Sequence, residues 1–361
     1  MKRIGILIMA LTIVSVMSWR CAKENMQSSS SSSTTTLKSA LNQNITTLST
    51  AVTAIKNDQG YKVLTLNGNT GLKAGTLSVD SVAYKVNIFL SLIKGVYDYN
   101  PAPALHPFNG APIRFFTKTA DSSLMIVRMP TAILQRPESM KHQQPRDTTY
   151  KNNFVITVSD YTYSWNDWFN YNYNIKSSVT IDSVAAGNLG IVSYGDNTGY
   201  NYTSSYQFAN GYLVSYHAAS GDTMVTSYDI SQGGTTLYEE KTLTLKSNFN
   251  LRHRENEYIL TIGNVTIDRK TTLDSALVYV GGVLQTNAKV SIIDKVADPT
   301  ASICKKRDIQ ITFADGTTTT VSQLAGTLIP TISTIFSSMS SVYFATGIVD
   351  WIAVDILNNK F

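Results

Sequence analysis

The feature that most constrains the fold is an alternation of apolar and polar residues in short segments between Tyr61 and about Val321. Several segments are separated by the pairs Asn67-Gly68, Asn210-Gly211, Gly281-Gly282 and Asp315-Gly316. Such pairs tolerate positive φ and match the twist of adjoining strands, which makes them a strong hairpin signal. The polar positions carry mostly Thr, Ser, Asn and Lys, so one face of the sheet meets water. The pattern predicts a large antiparallel sheet.

Helical spacing appears at both ends of this region. Apolar residues recur every three or four positions from Leu37 to Ile55, which predicts a helix that Asp58 and Gly60 terminate. YKVLTL (61–66) is then the first predicted strand. After Val321 the chain has only Asp350, Asp355 and Lys360 as charged residues, and its apolar residues keep helical spacing to Tyr343. We expect this apolar segment to fill the hollow of the sheet.

The predicted fold is therefore mainly β (α+β): a large curved antiparallel sheet or half-barrel with an N-terminal helix and an apolar C-terminal helical segment. It occupies residues 37–361. Prolines are frequent across 100–147, which predicts mostly loop there and a subdomain boundary.

The N-terminus has the pattern of an export signal. Lys2 and Arg3 precede an apolar run from Ile4 to Met17, which is too short to span a bilayer as a helix, and Cys21 follows it closely. This resembles a bacterial lipoprotein signal, although Trp19 and Arg20 stand where that family has small residues. The resemblance implies that residues 1–20 are removed and that Cys21 carries acyl chains such as palmitate. An ordinary secretory signal or an uncleaved anchor is the alternative.

The segment after Cys21 is a Ser/Thr-rich linker, residues 21–36, whose composition cannot bury enough apolar surface to fold. Its reach is on the order of 20 Å by random-coil scaling. Ala22, without an acidic residue beside it, resembles the sorting pattern of outer-membrane lipoproteins. We therefore expect a domain tethered by its lipid to the outer membrane, on the periplasmic or the exterior side.

An aromatic cluster stands out in DYTYSWNDWFNYNYNI (160–175). With a three-residue loop at Asn166–Trp168, Trp165 faces Phe169 and Tyr163 faces Tyr171, and the rings of both strands share one face. Such a ladder packs onto the sheet core, or alternatively forms a stacking platform for sugar rings or lipid. The candidate ligand-binding residues are Tyr161, Tyr163, Trp165, Trp168, Phe169, Tyr171 and Tyr173.

Signatures of catalysis are scarce in the sequence. The four histidines are far apart, no HExxH, GxSxG, P-loop or GxGxxG motif occurs, and no zinc-type ligand spacing is present. Glu239 and Glu240 are adjacent and are interpreted as solvated rims rather than a glycosidase pair. The formal charge of +5 falls to about +2 without the signal, and no basic stripe alternates with aromatics. We expect no catalytic residues, no metal, no cofactor and no nucleic-acid partner.

Asp-Ser or Asp-Thr followed by an aliphatic residue, Met or Thr recurs five times. This is similar to the O-glycosylation acceptor motif of exported Bacteroidota proteins, and ordinary turn chemistry is the alternative. The resemblance implies sugar on Ser81, Thr148, Ser183, Thr223 and Ser275.

Three functions fit these features. The first is a non-enzymatic, membrane-anchored lipoprotein that binds or scaffolds other components at the cell envelope, including other envelope proteins. The second is a carrier of lipid or another apolar ligand, since helix, long sheet and apolar C-terminal segment resemble the half-barrel of periplasmic lipoprotein carriers. The third is a surface glycan-binding protein that uses residues 161–173.

Overall fold

One open sheet of fifteen strands forms the body of the protein, and most of its strands pair with their neighbours in the chain. The computed structural model describes residues 36–65, 86–100, 116–131, 151–166, 170–245, 257–270, 276–294 and 307–357, and residues 36–361 form one unit. The sheet begins with short strands: β1 Val86–Phe89, β2 Gly95–Tyr99, β3 Phe116–Ala120 and β4 Met125–Met129. Seven long strands follow: β5 Phe154–Trp165, β6 Tyr171–Ile181, β7 Val184–Asp196, β8 Gly199–Phe208, β9 Tyr212–Ser220, β10 Thr223–Gln232 and β11 Thr235–Leu245. It ends with β12 Glu257–Ile262, β13 Val265–Lys270, β14 Leu277–Val280 and β15 Val283–Leu284.

Pairing between the described strands is antiparallel, except that β2 and β4 run parallel. A second, smaller sheet contains β16 Lys289–Asp294, β17 Arg307–Thr312 and β18 Thr318–Thr320. A single bridge between Ala276 and Val290 connects the two sheets. The hairpins predicted at Asn210-Gly211, Gly281-Gly282 and Asp315-Gly316 are confirmed, whereas Asn67-Gly68 lies outside the described residues.

The N-terminal helix α1, Leu37–Asn57, is confirmed. Thr36 caps it by accepting a hydrogen bond from the Ser39 backbone N–H at 3.3 Å. Its apolar stripe, including Leu41, Leu48 and Ile55, is buried, and the helix contacts β11, β12 and β13. Burial of this stripe stabilises the helix more than its propensity does.

The strand predicted at 61–66 is wrong, because Gln59–Thr65 forms a second helix, α2. The Asp58 carboxylate accepts a hydrogen bond from the Gly60 N–H at 2.7 Å, which supplies a partner for one free donor of the new helix. Gly60 lies so close to the sheet that a Cβ atom there would be 2.1 Å from the Ala186 carbonyl oxygen. This close approach places α2 against β7 and β8.

The apolar C-terminal segment is also helical, as predicted, but it is divided into three helices: α3 Val321–Ala325, α4 Leu328–Ser338 and α5 Ser340–Leu357. Thr320 and Gln323 form a capping box at the start of α3. Gly326, with φ of +51°, ends α3 and allows the turn into α4. The predicted class, mainly β with one large antiparallel sheet, an N-terminal helix and an apolar C-terminal helical segment, is confirmed. The sheet is not closed, since β15 and β3 are its two ends.

Helices α1, α2, α4 and α5 contact the same face of the large sheet, here called the inner face. Side chains alternate along each strand, so each strand contributes every second residue to this face. Ile175, Leu189, Tyr206, Val214 and Ile230 are buried there, on five successive strands. The described part of the chain thus has one continuous apolar core between sheet and helices.

Candidate functional site

The described residues of the predicted aromatic cluster lie on the inner face, but the loop between the two strands is longer than expected. Trp165 pairs with Tyr171, and Tyr163 pairs with Tyr173, so five residues separate the strands instead of three. The Asn166 N–H donates to the Asn170 carbonyl at 3.0 Å and closes this loop. The predicted pairing is therefore wrong by two residues. The rings still share one face, because a shift of two positions preserves the side to which a residue points.

The described rings of the cluster differ in their surroundings. Tyr161 is buried, while Tyr163, Trp165, Tyr171 and Tyr173 are half-buried. Trp165 and Tyr171 stack with their centroids 5.7 Å apart and their planes at 22°. Trp168 and Phe169 lie outside the described residues. Tyr161, Tyr163 and Tyr173 contribute to the core under α5, and Trp165 with Tyr171 forms a stacked pair at the end of the hairpin.

A carboxyl group lies beneath α5 beside the tyrosines of this cluster. The Tyr161 hydroxyl donates to Oδ1 of Asp350 at 2.8 Å, and the Tyr173 hydroxyl donates to the same carboxylate at 3.1 Å. Asp350 is 5% exposed, and burial raises its pKa to about 7, although the two hydrogen bonds act in the opposite direction. The three groups attach α5 to β5 and β6 by polar contacts within an otherwise apolar layer.

Aromatic residues continue across the inner face from β8 to α4. Tyr202 and Tyr216 have centroids 5.9 Å apart, Tyr216 and Tyr228 are 4.9 Å apart, and Tyr228 contacts Phe336 of α4 at 5.0 Å. Tyr228 lies opposite Glu240 in the pairing of β10 with β11. The series of rings therefore ends beside an acidic residue on the same face.

Next to Glu240, a partly open cavity of about 220 Å³ lies between the inner face, α1, α3 and α4. Its lining is mostly aliphatic, with polar groups on two sides. The lining residues are Ile45, Leu48, Tyr238, Glu240, Tyr258, Leu260, Ile262, Asp308, Ile309, Val321, Ser322, Ala325, Leu328, Ile329 and Ile332. An apolar concavity with a few fixed polar groups is the usual form of a small-molecule site.

Two tyrosines hold the Glu240 carboxylate in this cavity. The Tyr238 hydroxyl donates to Oε2 at 3.0 Å, and the Tyr258 hydroxyl donates to Oε1 at 3.2 Å. Burial, together with the Glu240 charge, raises the pKa of Tyr238, so its hydroxyl stays protonated and remains a donor. Oδ1 of Asp308, a second carboxylate of the lining, accepts hydrogen bonds from the backbone N–H groups of Ile309 and Ser322. The carboxylates are thus positioned by the protein and need no ligand for their orientation.

Glu239 and Glu240, which were interpreted as solvated rims, are both half-buried. The two residues point to opposite faces of β11, and Glu240 lines the cavity. The sequence contained a signal for this, since Tyr238 and Glu240 are two positions apart and must share a face. Asp350 was also overlooked as a buried group, although it is one of few charges in an apolar helix.

Two of the five candidate glycosylation sites are described. Ser183 is exposed in the turn between β6 and β7, where Asp182 and Ser183 both have positive φ. Thr223 begins β10 and is half-buried. Ser81, Thr148 and Ser275 lie outside the described residues, as do the signal, Cys21 and the linker up to Thr35.

Within the described ranges, no helix combines the length and the apolar character that crossing a membrane requires. The same ranges contain no group of three or more His, Cys, Asp or Glu side chains that could hold a metal ion. In comparisons with known proteins, no family model, no curated protein and no solved structure matches this chain.

Proposed function

We propose that this protein is an exported, lipid-anchored protein of the outer membrane that binds an apolar ligand without catalysis. The observation that carries the binding role is the cavity of about 220 Å³ among Leu48, Leu260 and Ile332. An apolar cavity of about 150 Å³ in a protein interior already holds benzene. The space beneath α1, α3 and α4 is therefore large enough for a ring or a short acyl segment.

The anchoring part of the proposal rests on the sequence around Cys21. The apolar run from Ile4 to Met17 and the Ser-rich linker after Cys21 support an acylated N-terminus on a flexible tether. Mass spectrometry of the mature protein from membranes tests this. We expect a chain that begins at Cys21 and carries acyl groups. An unmodified Cys21, or a chain that retains residues 1–20, would contradict the anchor.

A titration with the neutral fluorescent probe N-phenyl-1-naphthylamine tests the binding role. Ala325 lines the cavity, so Ala325→Leu places extra atoms in it, whereas the matched control Ala209→Leu adds the same atoms at an exposed turn. We expect saturable fluorescence enhancement with the wild-type protein and the control, and at least fivefold weaker binding to Ala325→Leu. Equal binding by the two variants, or none by the wild type, would refute a cavity ligand.

Glycan binding by the aromatic cluster is the second candidate. The parallel stack of Trp165 and Tyr171, half-buried at the end of the hairpin, favours it, because flat rings with polar edges suit sugar rings. A glycan array with Trp165→Ala, and with Tyr194→Ala as a control at an exposed ring on the other face of the sheet, separates the two candidates. We expect glycan signals that only Trp165→Ala removes. Signals that neither variant changes, or no signals, would reject this candidate.

A further inference from the structure

We infer that the cavity selects an apolar ligand that carries a positively charged group, such as an alkylammonium ion. This inference rests on the proposed apolar-ligand binding and names the chemical class of the ligand. Its starting point is the charge of the lining: Glu240 and Asp308 are acidic, and none of the described residues around the cavity is Lys, Arg or His. An anionic ligand would meet the Glu240 carboxylate there, with no cation among the described lining residues.

The hydrogen bonds of Glu240 leave room for a donor from a ligand. A carboxylate oxygen accepts two hydrogen bonds, and each Glu240 oxygen receives one from a tyrosine, Tyr238 or Tyr258. Among the described residues no Lys, Arg or His forms an ion pair with Glu240. The carboxylate is therefore fixed by neutral donors while its charge remains unpaired within the described structure.

The surroundings of this charge suit a cation attached to an apolar body. The rings of Tyr238 and Tyr258 stand beside the carboxylate, and tyrosine faces attract ammonium groups. Ile45, Leu48 and Ile332 line the same cavity, so an alkyl chain can be buried while its charged end remains near Glu240.

Three probes with the same chain length and different head groups test the inference: octylammonium, 1-octanol and octanoate. Their dissociation constants are measured by calorimetry at pH 7 on the full mature chain. We expect octylammonium to bind at least tenfold more tightly than octanol, and octanoate to bind more weakly than octanol.

Glu240→Gln removes the charge and keeps a carbonyl acceptor for one tyrosine, so it is expected to abolish the preference for octylammonium while octanol binding stays within about twofold. Glu239→Gln is the matched control, because Glu239 is next in sequence and lies on the opposite face of β11. It is expected to preserve the preference.

The outcomes separate this inference from the proposed function. If octanol binds but the three probes have equal dissociation constants, the inferred selectivity for cations is wrong while the apolar site remains. The same conclusion follows if Glu240→Gln keeps the tenfold preference for octylammonium. If none of the probes binds, the proposed function fails and the inference fails with it. Weaker binding of all probes to Glu240→Gln would assign Glu240 a purely structural role and would also overturn the inference.

Discussion

The replacement of Asp350 by asparagine gives a quantitative test of the polar contacts under α5. Asp350 titrates with a pKa of about 7 in the folded protein, against an ordinary value of 3.8. The folded state therefore binds the proton more tightly than the unfolded chain does, and stability falls as the pH rises between these values. Above about pH 7 Asp350 is ionised in both the folded and the unfolded protein, so it no longer makes stability depend on pH. From low to high pH, the ionisation of Asp350 lowers the free energy of unfolding by about 4 kcal/mol in total. About 3 kcal/mol of this decrease falls between pH 5 and pH 8.

The Asp350→Asn variant would keep an acceptor for the hydroxyls of Tyr161 and Tyr173 but would carry no charge at this position. Its free energy of unfolding, measured by urea denaturation, should exceed that of the wild type at pH 8. The difference between the two proteins should shrink by about 3 kcal/mol at pH 5. Asp222→Asn, at an exposed turn, is the control for the loss of one carboxylate. A difference that does not vary with pH, or a variant less stable at pH 8, would refute the reasoning.

Three further substitutions test the packing of the helices, each by urea denaturation at pH 7. Gly60→Ala should destabilise the protein by about 1–3 kcal/mol, because the new Cβ would overlap the Ala186 carbonyl. Gly221→Ala, where the new Cβ meets open space, should leave stability unchanged. Equal effects of the two substitutions would contradict the close approach of α2 to the sheet. Ile55→Ala should cost about 2–5 kcal/mol, since Ile55 is fully buried, and a loss below about 1 kcal/mol would place α1 away from the core. Thr320→Ala should cost about 1 kcal/mol through loss of the capping box, and no loss would show that α3 does not depend on it.

Most of the strand order could be predicted from the sequence, because hairpin signals and alternation are local. Asn210-Gly211 and Asp315-Gly316 specify their turns without reference to the rest of the chain. The segment 258–267 is rich in strand-forming residues throughout, but Gly263-Asn264 divides it into β12 and β13. The Gly-Asn pair is itself a turn signal, so this division is also visible in the sequence.

Other features depend on contacts that are distant in sequence. Residues 61–66 alternate like a strand, but the Asp58 cap and the approach of Gly60 to β7 favour a helix. Local preference is a weak guide where tertiary contacts of this kind compete with it.

The cavity illustrates the same limit at the candidate site. The sequence places Tyr238 and Glu240 on one face of a strand, but residues from β17, α1, α3 and α4 complete the lining. No short motif joins these segments, so the volume between them follows from packing alone. The aromatic cluster was visible in the sequence because its residues are adjacent, and only its register required the structure.

A methyl NMR titration tests the central claim, an apolar ligand in the cavity, most directly. Isoleucine and leucine methyl groups of the full mature chain are labelled with ¹³C, and 1-octanol is added. We expect saturable shifts of Ile45, Leu48 and Ile332, which line the cavity, and unchanged signals from Leu245 and Leu284, which are exposed elsewhere. Shifts confined to the exposed methyl groups, or no saturable shift at any methyl group, would contradict the claim.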